Sequence, residues 1–129
     1  MSDLRAVFPV DAPAPAGPYS PAVVFQRLVF VSGQGARVPG TDDLAGPDIE
    51  SQTEQCLRNV ETILRAAGSD LAHVLKVSVF LTDMDEFQRM NGVYERMFGS
   101  HRPARTTIAA AALPAKGLRV EIDCIGYVP

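Results

Sequence analysis

Arg105 and Glu121 are the residues of this chain best suited to chemistry on a small acid. Arg105 opens a strand-like segment, Arg102-Pro103-Ala104-Arg105-Thr106-Thr107-Ile108, that runs on into Ala109 to Ala112 and Leu113-Pro114. Apart from Thr106 and Thr107, little polarity follows it. A guanidinium cannot shed its charge, so it needs a partner or solvent. A carboxylate held by two parallel hydrogen bonds is the partner its geometry suits best. Glu121 lies downstream in a second strand-like run, Val120-Glu121-Ile122-Asp123, and is the candidate base. Each residue also has an ordinary structural explanation. Arg105 fits an edge-strand arginine paired with an acidic neighbour, and Glu121 fits an outward-facing strand residue. The two residues by themselves leave both explanations open.

Other chemistry finds less support. No nucleophilic triad is evident. His73 and His101 lack metal-ligand spacing to each other or to Cys56 and Cys124. His101, ahead of Arg102-Pro103, reads as a solvated loop histidine. The two cysteines read as buried, reduced thiols in a helix-like and a strand-like run. Ser32-Gly33-Gln34-Gly35 is glycine-rich but lacks the spacing and lysine of a phosphate loop. It suits a backbone that passes close to a ligand or a neighbouring strand. Taken singly, Asn91 reads as a surface residue and Tyr19, among prolines, as a packing anchor.

The elements that must position these residues are legible in the hydrophobic pattern. Ala12 to Pro21 is proline-rich and irregular. Ala22 to Ser32 carries two β-branched and aromatic runs flanking Gln26-Arg27, which predicts two short strands or a bent one. A helix is predicted from an Asp48 N-cap to a stop at Gly68, with Ile49, Cys56, Val60, Ile63, Leu64 and Ala67 on one face. Val74 to Leu81 is β-rich. A second helix spans about Met84 to Phe98, with Phe87, Met90, Tyr94 and Met97 as its apolar stripe. Two strands follow, about Arg105 to Ala112 and Leu118 to Val128, giving the order β-β-α-β-α-β-β. The alanine run is ambiguous, since alanine favours helix while the short span and Leu113-Pro114 favour extension. An α+β sheet with two helices on one face results. Both faces of its strands carry apolar residues, so the uncovered face is expected to meet another subunit.

With 129 residues, the chain reads as a single domain, 1–129. A composition of 47% hydrophobic and 21% charged residues is ordinarily globular, and a net charge of −3 gives no general attraction to nucleic acid. No window approaches a membrane span, and the N-terminus lacks the apolar core of a signal peptide. A cytoplasmic protein with no nucleic-acid or membrane partner is expected.

Together these residues resemble the RidA/YjgF family of reactive-intermediate deaminases, also called the L-PSP endoribonuclease family. The resemblance covers nearly the whole chain. It rests on Gly17-Pro18-Tyr19-Ser20, Val31-Ser32-Gly33-Gln34, Gln52-Thr53, Leu57-Arg58-Asn59-Val60 and Ala66-Ala67-Gly68. It continues through Lys76 to Leu81, Met90-Asn91-Gly92-Val93-Tyr94-Glu95, Arg102-Pro103-Ala104-Arg105, Leu113-Pro114 and Val120-Glu121-Ile122.

The resemblance implies a fold like the trimeric chorismate mutases, a homotrimer with its sites between subunits, and an extended alanine run. It implies hydrolysis of enamine or imine intermediates of 2-keto acids, such as 2-iminobutyrate and 2-iminopropionate, with no cofactor and no metal. Arg105 then resembles the carboxylate clamp and Glu121 the residue that orients or activates water. Tyr19, Ser32, Gly33 and Asn91 match positions lining the family pocket. Thr107 stands where many members have cysteine, which removes a thiol but keeps the backbone contacts. Gly35 stands where a larger apolar residue is usual, which suggests a wider pocket or a more mobile loop. Two alternatives stay open: a deaminase of a larger dicarboxylic enamine such as aminomuconate, and a non-catalytic sensor of 2-keto acids. The ribonuclease label has the least support, because the chain has neither a basic stripe nor a suitable histidine pair.

Overall fold

A computed structural model describes residues 3–129. Its strands are β1 (Leu4–Val7), β2 (Ala22–Phe25), β3 (Leu28–Gln34), β4 (Val74–Leu81), β5 (Ala104–Ala109) and β6 (Val120–Tyr127). The helices are α1 (Ile49–Ala66) and α2 (Phe87–Phe98), and the strands form one sheet in the order β1-β2-β3-β6-β4-β5. Only β4 and β5 pair in parallel, which α2 makes possible by crossing between them.

The expected α+β architecture is present, with one strand more than the sequence pattern suggests. β1 pairs antiparallel with β2, Leu4 opposite Phe25 and Val7 opposite Ala22. Its only buried residue is Val7, so it carries no alternation by which it could be recognised. The Ala22–Ser32 segment is two strands joined at Gln26-Arg27, where Gln26 adopts φ 56° to make the tight turn. α1 begins as expected: the Asp48 carboxylate accepts from the Ser51 N–H at 2.9 Å, and Gly68 follows the helix at φ +92°. α2 starts at Phe87, since Met84–Glu86 forms a separate 3-10 turn. The alanine run is extended as far as Ala109, where β5 ends.

The core lies between the helices and one face of the sheet. Val29, Val31, Val77, Val79, Leu81, Val120 and Ile122 meet Leu57, Val60, Ile63, Leu64 and Met90, all buried. The opposite face leaves Phe25, Leu28, Phe30 and Ile108 exposed in the single chain. Two buried amides on α1 tie the loops to this core. Gln52 Nε2 donates to the carbonyls of Gly46 (2.9 Å) and Gly117 (3.0 Å), while its Oε1 accepts from the Arg119 N–H (2.7 Å). Asn59 Nδ2 donates to the carbonyls of Gly35 (3.2 Å) and Arg37 (2.9 Å). Because buried backbone carbonyls must be satisfied, these two side chains hold the segments flanking β3 and β6 in place.

His101 differs from the solvated residue expected of it. It is half-buried, its ring lies beside Phe98, and Nε2 donates to the Val74 carbonyl at 2.7 Å, so it staples the end of α2 to β4. Cys56 and Cys124 are buried free thiols, as expected.

Candidate functional site

The sheet register decides which candidate residues can meet. Arg105 lies opposite Val77 on β4, and Val77 lies opposite Cys124 on β6, so Arg105 shares the helix-covered face. Glu121 lies opposite Phe80, which lies opposite Ile108, so Glu121 shares the uncovered face. Strand residues alternate faces with period two, and Val77 and Phe80 therefore point to opposite sides. Within one chain the proposed clamp and the proposed base look into two different cavities.

The first cavity, about 630 Å³, is lined by Tyr19, Ser32, Gly33, Leu118 and Glu121 together with the proline-rich segment 13–16. The Ser32 and Gly33 backbone is displaced by a β-bulge. Val31 pairs with Cys124 and Gln34 with Ile122, so β3 has one residue more than β6 between these points. A Cβ placed on Gly33 would come within 2.9 Å of both Cδ and Oε2 of Glu121. Glycine is therefore what allows the carboxylate to rest against β3. The Ser32 hydroxyl donates to the Ser20 carbonyl at 2.6 Å, and the Ser32 N–H donates to the Pro21 carbonyl, pinning the segment that carries Tyr19 over the cavity.

Among the described residues, no cation pairs with Glu121. Burial, and then the charge of Asp123, raise its carboxyl above the usual glutamate value. A carboxylate so placed can take a proton from water and return it. Gly33→Ala tests the arrangement. The displaced atoms are the flexible end of a side chain, so Tm is expected to shift by no more than a few degrees. A shift of the carboxylate by a fraction of an ångström is expected to lower kcat by about tenfold or more; unchanged kcat would show that turnover does not depend on the carboxylate resting against β3.

Gly35 also lines this cavity. A Cβ there would lie 2.9 Å from Leu118 Cδ2, so the space its missing side chain leaves is shared with Leu118.

The second cavity, about 540 Å³, is lined by Gln88, Asn91, Tyr94, Glu95, Arg102 and Arg105, among others. No carboxylate among the described residues pairs with Arg105. Its guanidinium carbon instead lies 4.7 Å from the Tyr94 ring centroid and 5.6 Å from that of Phe87. Asn91 Oδ1 is buried without a hydrogen-bond partner among the described residues, and the buried Tyr94 hydroxyl lies beside the Arg105 guanidinium, short of full hydrogen-bond geometry. Burial pushes the Tyr94 phenol up to about 12 despite the neighbouring Arg105 charge, so it stays protonated. Thr107 is half-buried on the same face of β5, opposite Val79, and lines neither cavity.

Seven residues were named as candidates from the sequence. Tyr19, Ser32, Gly33 and Glu121 are thus gathered at one cavity and Asn91 and Arg105 at another, while Thr107 stands apart. Tyr94 was legible as part of the α2 stripe but not as a neighbour of Arg105, because only the parallel β4–β5 register brings them together. Among the described residues, no cluster of His, Cys, Asp or Glu could hold a metal ion, and no helix is long and apolar enough to cross a membrane.

Comparison with known proteins agrees with the residue pattern. The family model described as "Endoribonuclease L-PSP" matches residues 9–128. A RutC family protein of Pyrococcus horikoshii is 42% identical over 95% of this chain and 97% of its own. The human 2-iminobutanoate/2-iminopropanoate deaminase is 39% identical over 97% of this chain and 92% of its own. Among solved structures, Escherichia coli TdcF with bound serine superposes with a TM-score of 0.90 at 33% identity, covering 95% of this chain and 98% of that one. With a family model spanning all but the chain ends and relatives near 40% identity over nearly the whole length, this protein belongs to the RidA/YjgF, or L-PSP, family.

Proposed function

We propose that the protein hydrolyses imines or enamines of small 2-keto acids, at sites completed by two neighbouring subunits. One observation carries the reading: a guanidinium with no acidic partner and a raised-pKa carboxylate with no cationic partner line separate cavities of the same chain. Each is half of a site for a small acid. β5, which bears Arg105, is a sheet edge, and Glu121 lies on the uncovered apolar face, so a neighbouring copy can oppose one to the other. The name of the human relative and the serine bound to TdcF support a carboxylate-bearing amine or imine as the ligand.

In this reading Arg105 holds the carboxylate and so fixes the imine carbon. Glu121 takes a proton from a water that adds to that carbon. Glu121 gives that proton to the nitrogen and then relays the adduct's hydroxyl proton there too, so that the C=O bond forms as the C–N bond breaks and ammonia and the 2-keto acid are released. Every step is a proton transfer or an addition to a carbon already electrophilic, and none calls on a cofactor.

Subunit mixing tests the assignment. Arg105→Ala and Glu121→Gln proteins, each inactive alone, are expected to regain about one quarter of wild-type activity on 2-iminobutyrate when co-expressed, since random assembly restores that fraction of two-chain sites. If both residues serve a site within one chain, mixing restores nothing, and that result would overturn the proposal.

A further inference from the structure

Arg105 is held differently from the other arginines near α2. Arg89 and Arg96 are paired with Glu50 and Glu54. Arg102, which lines the same cavity as Arg105, is paired with Glu95 at 3.3 Å and also donates to the carbonyls of Gly99 and His101. Glu95 lines that cavity too, and it is the acidic side chain that could otherwise turn to Arg105. Arg105 has the ring faces of Tyr94 and Phe87, with the neutral Tyr94 hydroxyl beside it, where the others have carboxylates. Tyr94 is itself buried and packed on Phe98 with ring centroids 4.6 Å apart.

We propose that Tyr94 and Phe87 are positioning residues that seat Arg105 by cation–π attraction, while Arg102 holds Glu95 away, so that the guanidinium stays open to an incoming carboxylate. The proposal rests on the reading of Arg105 as a carboxylate clamp. A ring attracts a cation without filling the hydrogen-bonding capacity of its N–H groups, whereas a resident carboxylate would occupy the fork that a ligand must use. The seat therefore restrains a long, flexible side chain and leaves its recognition surface vacant, which lowers the ordering cost of binding. The Arg102–Glu95 pair is exposed and contributes little stability. Its effect is one of exclusion: it occupies the competitor.

Calorimetric titration of the purified oligomer tests this, with 2-ketobutyrate and its neutral amide as ligands and the melting temperature of every variant as a control. Arg105→Ala is the reference for the clamp; unchanged 2-ketobutyrate affinity there removes the clamp reading itself. With that reference lost as expected, Tyr94→Leu and Phe87→Leu should each weaken 2-ketobutyrate about tenfold and leave the amide unaffected, and Tyr94→Phe should retain most of the affinity. Arg102→Gln should weaken 2-ketobutyrate by freeing Glu95, and adding Glu95→Gln should restore it. Equal weakening of acid and amide by the leucine variants, or no weakening of either, overturns the seat. An Arg102→Gln defect that persists in the double variant overturns the exclusion. Should Tyr94→Leu fail to fold, Phe87→Leu and the Arg102–Glu95 pair of variants decide the question.

Discussion

Arg105→Ala is expected to lower kcat/KM for 2-iminobutyrate by about 10²- to 10³-fold, the largest single effect at this site. Two charge-assisted hydrogen bonds from a guanidinium to a carboxylate are together worth about 3–4 kcal/mol when desolvated, which converts to that range. The folded chain should tolerate the change. No carboxylate among the described residues is left without its cation, and what the chain loses is the contact with Tyr94 and Phe87. A melting temperature within a few degrees of wild type, together with retained activity on a substrate lacking the carboxylate, would separate the clamp from a structural role. Wild-type kcat/KM in this variant would rule out the clamp.

Glu121→Gln should lower kcat by about 10²-fold or more, because general-base assistance is lost while shape and hydrogen-bonding capacity are kept. The pH dependence gives an independent check. Catalysis needs the carboxylate form, so wild-type kcat/KM should fall as pH drops through the Glu121 pKa, with its midpoint above the ordinary value of 4.5 because burial raises it. Stability should run the other way. A carboxyl whose pKa is raised on folding binds its proton more tightly in the folded state. Its contribution is complete below the unfolded value and is lost as pH rises through the folded one. Glu121→Gln should therefore raise Tm at neutral pH and lose that advantage below the ordinary glutamate range. A variant that is both slower and less stable at neutral pH would show that a cation across the subunit boundary, Arg105 in the proposed assembly, outweighs the burial seen in the single chain.

The parts of the fold that were legible in the sequence were those whose stability is local. Asp48 caps α1 because its carboxylate reaches an N–H three residues on, and Gly68 ends it because the backbone there turns to positive φ. Strands β3, β4 and β6 show their alternation directly. β1 does not, since three of its four residues are exposed and its pairing with β2 is made across a long loop. The candidate site followed the same division. Chemical types singled out Arg105 and Glu121, but which face each occupies depends on strand register, a long-range property. The pairing of Arg105 with Val77 and of Glu121 with Phe80 puts them on opposite sides, and nothing in the spacing of the two residues along the chain reveals it. The setting of Gly35 was hidden for a related reason: the side chain packed beside it, Leu118, lies far away in sequence.

The additional residue in β3 limits how this chain can vary in length. Val29 and Val31 face the helices before the bulge, and Gln34 and Ala36 are buried after it. A chain lacking Gly33 would pair regularly with β6 and keep all four of those side chains inward. It would lose the position without a side chain beside the Glu121 carboxylate. A one-residue deletion here should thus leave a well-paired sheet while displacing the carboxylate of the proposed site. The residue count of β3, and not only its residue types, is part of the proposed site.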